Sequence, residues 1–192
     1  MSSVSAICNR ALQELGASRI VNITDDTKNS RACNACYDTL RKSEIRKHPW
    51  RFAIARQVLA PSDTAPVFGA QYQFLLPAGC LKILKNRDPN LDWQVEGRML
   101  LTSQSTVVNL RFLNDVQDPN LFDVNFCEML SMKMAEAMCE ELTQSNSKQA
   151  NAMAKYKDAK DEAKKSNAFE TIPVSGVESA WVLSRETGVN PE

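Results

Sequence analysis

The feature that most constrains the fold is a row of large apolar residues that recurs at every fourth position within residues 118–166. Its members are Phe122, Phe126, Leu130, Met134, Met138 and Leu142. Side chains four residues apart lie on one face of an α-helix, so this row predicts a long amphipathic helix. Asp118 is suited to cap the start of that helix, and Pro119 suits its first position.

The same helix carries more apolar side chains than one face requires. Met129, Met132 and Ala135 extend its apolar character around the circumference. A helix that is apolar over more than half of its surface must be covered on several sides. Either the rest of the chain covers it or a neighbouring subunit does. We predict that these three residues belong to a subunit interface as well as to the core.

Three further segments predict helices. The first covers residues 3–15 and ends at Gly16, which suits a left-handed C-terminal cap. The second covers residues 28–47, follows the capping cluster 24–27, and ends before Pro49. The last covers about residues 147–165 and has a thin apolar seam of Met153, Tyr156, Ala159 and Ala163.

Residues 50–113 have a different character, with many prolines and glycines between short apolar runs. Candidate strands are 52–59, 72–76, 81–85, 93–96, 99–102 and 106–113. We therefore expect an α+β protein in three parts. Residues 1–49 and 114–167 form a four-helix body, residues 50–113 form a small antiparallel β insertion, and residues 168–192 form an extended C-terminal arm.

Charge and hydropathy exclude some classes of protein. The chain has 23 lysines and arginines and 23 aspartates and glutamates. This balance disfavours a protein whose whole surface grips nucleic acid, but it allows a channel through which DNA passes. No apolar run approaches the roughly 18 residues of a membrane span. The first residues mix polar and apolar types at helical spacing, unlike a signal peptide, so we expect folding in a cytoplasm.

The spacing of Cys33 and Cys36 is that of a metal-binding or redox pair, and ordinary core packing is the other interpretation. A structural zinc site needs four ligands, and the only histidine, His48, follows the far end of the same predicted helix. We expect all six cysteines to be reduced thiols that pack as small apolar side chains, with no metal and no cofactor.

Two pairs of adjacent carboxylates could in principle serve acid–base catalysis. They are Asp25 with Asp26, and Glu140 with Glu141. The first pair lies where a helix cap is needed, and the second lies near a helix end among polar residues. Nothing in the sequence supplies a nucleophile elbow or a phosphate-binding loop. We predict no catalytic residue and no enzyme activity.

A basic cluster of Arg41, Lys42, Arg46 and Lys47 closes the second predicted helix. Cations suit the C-terminal end of a helix, so a solvated helix end is one interpretation. An electrostatic contact with an acidic partner or with DNA is the other.

The arm is unusual because it combines prolines and glycines with large apolar residues. Trp181, Val182 and Leu183 form a compact apolar group, and Arg185 follows them. Aromatic and arginine side chains are frequent anchors of protein interfaces. We predict a docking arm, with packing of this group onto its own subunit as the alternative.

The order of several short segments resembles tail tubular protein A and related head-to-tail adaptors of short-tailed bacteriophages. The first segment is a helix ending in L-G, a short link to an acidic cap, and a second helix that is closed by a basic run and a W-x-F at residues 50–52. The later segments are 72–77 (YQFLLP), which is similar to the family's Y-x-L-P, 118–123 (DPNLFD) and 179–182 (SAWV). The cysteine content is the one departure from the family pattern.

The resemblance implies a structural protein of the virion. Such adaptors form a ring, usually twelve-fold, beneath the capsid portal, extend the conduit for double-stranded DNA, and hold the tail nozzle and fibres. The resemblance also implies assembly in the host cytoplasm. The side chains that we expect to bind the portal are Trp181, Val182, Leu183 and Arg185. Two other functions stay open from sequence: a cell-wall hydrolase that acts during phage entry, and a cytoplasmic helical binding module.

Overall fold

A computed structural model describes residues 3–84, 92–103 and 107–170. Within these ranges the helices are α1 (Val4–Leu15), α2 (Lys28–Lys47), α3 (Val124–Thr143) and α4 (Asn146–Phe169). The strands are β1 (Ile54–Leu59), β2 (Tyr72–Leu75), β3 (Cys80–Ile83), β4 (Gln94–Glu96), β5 (Met99–Thr102) and β6 (Val108–Asn114). Short 3-10 turns lie at Arg51–Ala53 and Pro119–Leu121. The predicted α+β fold is confirmed.

Local capping fixes the starts of the first two helices where the sequence predicts them. The Ser3 side chain accepts a hydrogen bond from the amide of Ala6, and the Thr27 side chain accepts one from the amide of Ser30. Gly16 ends α1 in the left-handed region with φ 69°, where a side chain would be strained.

The predicted start of the long helix is wrong. Asp118 caps only the turn Pro119–Leu121, and the backbone then becomes extended at Phe122. Asp123 is the true cap of α3, because its carboxylate accepts hydrogen bonds from the amides of Asn125 and Phe126. A carboxylate that satisfies two otherwise unpaired amides defines a helix start better than one proline does.

Helix α3 is the centre of the helical body, and α1, α2 and α4 all pack on it. Met129 and Ala135 are fully buried and Met132 is 2% exposed. The chain itself therefore covers the helix, and these residues leave no surface for a neighbouring subunit. The prediction of a subunit interface at Met129, Met132 and Ala135 is therefore wrong, because these apolar side chains are covered by other parts of the same chain.

The β insertion consists of two three-stranded antiparallel sheets in the described residues, with strand orders β1-β6-β3 and β2-β5-β4. As the alternation of β6 predicts, Val108, Leu110 and Phe112 are buried together. They pack against Phe74 and Leu100 of the second sheet to form a core between the two sheets. Other residues of the first sheet join the helical core, among them Ile54, Leu81 and Leu113.

Chain direction places the insertion at one end of the helical body. It begins at the C-terminal end of α2 and returns to the start of α3. Helix α4 runs back along α3, and its Asn167 side chain accepts a hydrogen bond of 2.8 Å from the amide of Arg51. The last turn of α4 therefore also lies beside the entrance to the insertion.

Candidate interaction surfaces

Arg41, the first member of the predicted basic cluster, is not at the surface. Its side chain is 1% exposed. The guanidinium donates hydrogen bonds to the Asp115 carboxylate and to the Val116 carbonyl, and it pairs with Asp38 at 3.3 Å. Arg41 is therefore a buried clamp between α2 and the segment that follows β6, and the prediction of an electrostatic contact is wrong for this residue.

The other three cations of the cluster keep exposed side chains but are engaged within the chain. Lys42 lies 3.8 Å from Asp115 and Arg46 donates to the Leu81 carbonyl. Lys47 donates to Glu44 at 2.6 Å. The positive charges of Lys42 and Lys47 are therefore partly balanced by acidic side chains of the same chain, and these exposed cations form a rim around the buried Arg41.

Glu44 joins α2 to α4 beneath this rim. Its side chain is 1% exposed, and the second carboxylate oxygen accepts a hydrogen bond of 3.0 Å from the Tyr156 hydroxyl. Burial raises the pKa of Tyr156, and the neighbouring Glu44 carboxylate raises it further. The hydroxyl therefore stays protonated and holds the two helices together.

The cysteines of the first two helices meet in the helical core. Cys8 and Cys33 are fully buried, and a hydrogen bond between the two thiols raises the pKa of Cys8, with burial as the second cause. Burial raises the pKa of Cys36 to about 12. All six cysteines are free thiols. Within the described ranges no group of three or more metal-binding side chains comes together.

The two carboxylate pairs have ordinary structural surroundings. Asp25 accepts a hydrogen bond from the Asn22 amide, and Asp26 forms a 2.7 Å ion pair with Arg31. Glu140 and Glu141 are exposed near the end of α3. His48 stacks edge-on against the Trp50 ring, and burial lowers its pKa, with a smaller effect from Lys164.

Three exposed apolar side chains, which we together name the end surface, lie at the end of the helical body where the insertion joins the helices. They are Leu121, Val124 and Phe169, whose exposed fractions are 61%, 78% and 88%. Leu121 lies in the turn before α3, Val124 begins α3, and Phe169 ends the antiparallel α4. Apolar side chains exposed near one another are candidates for an interaction site.

A second candidate surface is a groove of mixed polar and apolar lining on the outer face of the β2-β5-β4 sheet, with a volume of about 780 Å³. Leu101 and Met99 form its floor, and the loop from Pro66 to Ala70 forms one wall. Sequence reasoning missed this groove. The available signal was the run 99–102 (MLLT), in which neighbouring residues are apolar on both faces of the strand.

The predicted portal-binding residues Trp181, Val182, Leu183 and Arg185 lie outside the described residues. Helix α4 continues to Phe169, so the helical body extends two residues beyond the predicted boundary at 167. Its predicted seam is only partly correct. Ala163 is fully buried as expected, whereas Met153 is 62% exposed.

The chain matches no protein-family model and no curated protein. Among the helices that the structure describes, none is both long and apolar enough to cross a membrane.

Proposed function

We propose that this protein is a structural head-to-tail adaptor of a short-tailed bacteriophage virion. It forms a ring, most simply a dodecamer, between the capsid portal and the tail, and double-stranded DNA passes through the ring. Its other partners are the tail nozzle and the tail fibres. The proposal derives from the family resemblance, and a fold alone does not define a function.

The observation that carries the proposal is that two distant segments of the resemblance meet in one aromatic cluster. Trp50 and Phe52 come from the W-x-F segment, and Phe122 from the segment 118–123. Phe126 lies in the following helix. The ring centroids of Trp50 and Phe126 are 5.1 Å apart, and those of Phe52 and Phe122 are 5.4 Å apart. The residues that suggest the family thus also join its two structural parts.

The joint suits a conduit wall because it fixes the insertion to the helical body. Aromatic pairs at these separations contribute roughly 0.5–1.5 kcal/mol each beyond the burial of their area. Trp50 also donates a 2.9 Å hydrogen bond from its indole nitrogen to the Glu44 carbonyl. A subunit whose parts move as one body transmits force between the portal and the tail.

Subunit contacts in such a ring would use residues other than Met129, Met132 and Ala135 of α3, which are buried within the chain. The end surface is our candidate for the portal-facing side, because the arm 171–192 departs from the end of α4 beside it. On assembly the arm would bind the portal through Trp181 and its neighbours. Lys42, Arg46 and Lys47 remain exposed enough to steer an acidic partner, so association should slow as salt rises.

The test is electron microscopy and sedimentation of the protein mixed with portal-bearing capsids of the phage that encodes it. We expect rings at the portal vertex. Val124→Asp should prevent attachment while leaving the thermal stability unchanged, because Val124 is 78% exposed. Val21→Asp is the matched control at the opposite end of the body, where the residue is 91% exposed, and it should attach normally.

Two results would contradict the proposal. One is the absence of rings and of capsid attachment in the natural chain. The other is degradation of purified cell wall by the protein, which would identify a hydrolase instead.

A further inference from the structure

The groove on the β2-β5-β4 sheet has an apolar floor that strand pairing fixes. Leu101 lies opposite Gln73 and Gln94, and Met99 lies opposite Leu75 and Glu96. Residues directly opposite in antiparallel strands share a face. Because Phe74 and Leu100 face the core between the sheets, the floor residues face outward.

The wall of the groove exposes two large apolar side chains. Val67 is 96% exposed and Phe68 is 87% exposed. The amide of Gln71 donates a 3.2 Å hydrogen bond to the Ser103 hydroxyl, which ties the end of this loop to the end of β5. An apolar wall held beside an apolar floor is arranged to receive a side chain or a short peptide.

The charges at the groove have one sign in the described lining. Among the described residues that line the groove, Asp92 and Glu96 contribute carboxylates and none is a lysine or an arginine. Glu96 is exposed and accepts a hydrogen bond of 3.1 Å from the Gln94 side chain. The groove therefore fits an occupant with apolar side chains followed by a cation.

The chain contains such a sequence in its own C-terminal segment. Residues 181–185 (WVLSR) place three apolar side chains before Arg185. From Glu170 to Trp181 the chain has 11 residues, which reach about 36 Å when extended. That reach exceeds the width of a three-stranded sheet, which is about 10 Å from its first strand to its last.

We propose that this groove binds residues 181–185 of the chain's own C-terminal segment in the unassembled protein. Trp181, Val182 and Leu183 occupy the apolar floor beside Phe68, and Arg185 pairs with Glu96. This contact shields an apolar surface before any partner arrives. It needs no portal, so it is independent of the adaptor role.

A photo-crosslinking amino acid tests the contact in the full-length chain. A benzophenone side chain replaces Phe68, and the crosslinked peptides are mapped by mass spectrometry. We expect crosslinks to residues within 179–187, in a product with the mass of one chain. The same probe at Val21, exposed at the far end of the molecule, should give none of these crosslinks. Products between two chains, or crosslinks only to residues 3–170, would overturn the proposal.

Variants then test the chemistry of the contact. Trp181→Ser should lower the crosslink yield about tenfold, as expected for loss of an interface anchor. Glu96→Lys and Arg185→Glu should each lower it about threefold, and the double variant should restore it, since the reversed charges attract again. Glu140→Lys, a change of an exposed carboxylate on α3, should have no effect. A double variant with no recovery would refute the pairing of Arg185 with Glu96.

Discussion

Replacing Arg41 by methionine tests whether the buried clamp holds the insertion on the helical body. The Arg41 side chain is 1% exposed, and its partner Asp115 is 13% exposed. Arg41→Met keeps much of the side-chain volume but removes the guanidinium. The Asp115 carboxylate then loses its buried partner, and the Val116 carbonyl loses a donor. Leaving a buried charge without its partner costs more than forming the pair contributes.

The expected loss of unfolding free energy is about 3–5 kcal/mol, the usual cost of removing one partner from a buried ion pair. For a chain of this size that loss corresponds to a fall in Tm of roughly 6–20 °C. Lys42→Met is the matched control, because it also replaces a cation that faces Asp115. Its side chain is 48% exposed and lies 3.8 Å away. A surface pair of this kind contributes about 1 kcal/mol or less.

Urea unfolding followed by circular dichroism measures both variants. A double-mutant cycle of Arg41→Met with Asp115→Asn should give a coupling energy above about 1 kcal/mol, since the two side chains are in contact. Equal destabilisation by Arg41→Met and Lys42→Met would refute the buried clamp. So would a coupling energy near zero between Arg41 and Asp115.

Four further predictions each concern a single residue. Gly79→Ala should destabilise the insertion by only about 1 kcal/mol, because a Cβ there would lie 2.3 Å from Asn114 Oδ1 and that side chain has to turn away; urea unfolding measures the loss. Burial raises the pKa of Tyr37 to about 12 in the folded chain. Between pH 10 and 12 the hydroxyl therefore ionises in the unfolded chain but not in the folded one, and the free energy of unfolding should fall. Tyr37→Phe should reduce that fall when melting is measured as a function of pH. Cys36, with its pKa raised by burial, should react with iodoacetamide at pH 8 much more slowly in the folded chain than in urea, as mass spectrometry would show. Met132→Glu should unfold the chain by circular dichroism, whereas a folded monomer would restore the interface interpretation.

Helix positions were predictable because their signals are local. The structure gives α2 the predicted bounds, 28–47, because Thr27 caps its start and Pro49 follows its end. The start of α3 was less predictable, since Asp118 and Asp123 are both good caps in sequence. Only the backbone between them shows that the chain turns before the long helix begins.

The burial of Arg41 and of the α3 residues Met129, Met132 and Ala135 was not predictable from local pattern. The apolar surplus of α3 fits a covered core helix and an oligomer equally well, as the sequence interpretation stated. Arg41 looks like its neighbours Lys42 and Arg46 in sequence, and its partner Asp115 lies 74 residues away. Long-range pairing, rather than composition, decides which cation is buried.

The groove depends on a strand order that sequence patterns do not specify. The last strand, β6, pairs with β1 and β3, while β5 pairs with β2 and β4. The sequence indicates the strands and the β4–β5 turn, but it does not divide six strands between two sheets. When the division of the strands between the two sheets is unknown, Met99 and Leu101 cannot be assigned to the outer face of a sheet. The floor of the groove therefore cannot be predicted from the sequence.

The insertion is tied to the helical body at both of its ends by different kinds of interaction. Trp50 and Phe52 pack into the aromatic cluster where the chain enters, and Asp115 meets Arg41 where it leaves. A hinge at this junction would have to separate packed aromatic rings and expose a buried ion pair. Each of these steps is unfavourable. Side-chain contacts therefore hold the insertion to the helical body at both of its ends. The Arg41 and Val124 variants are separate tests, because the first removes one of these contacts and the second changes an exposed side chain.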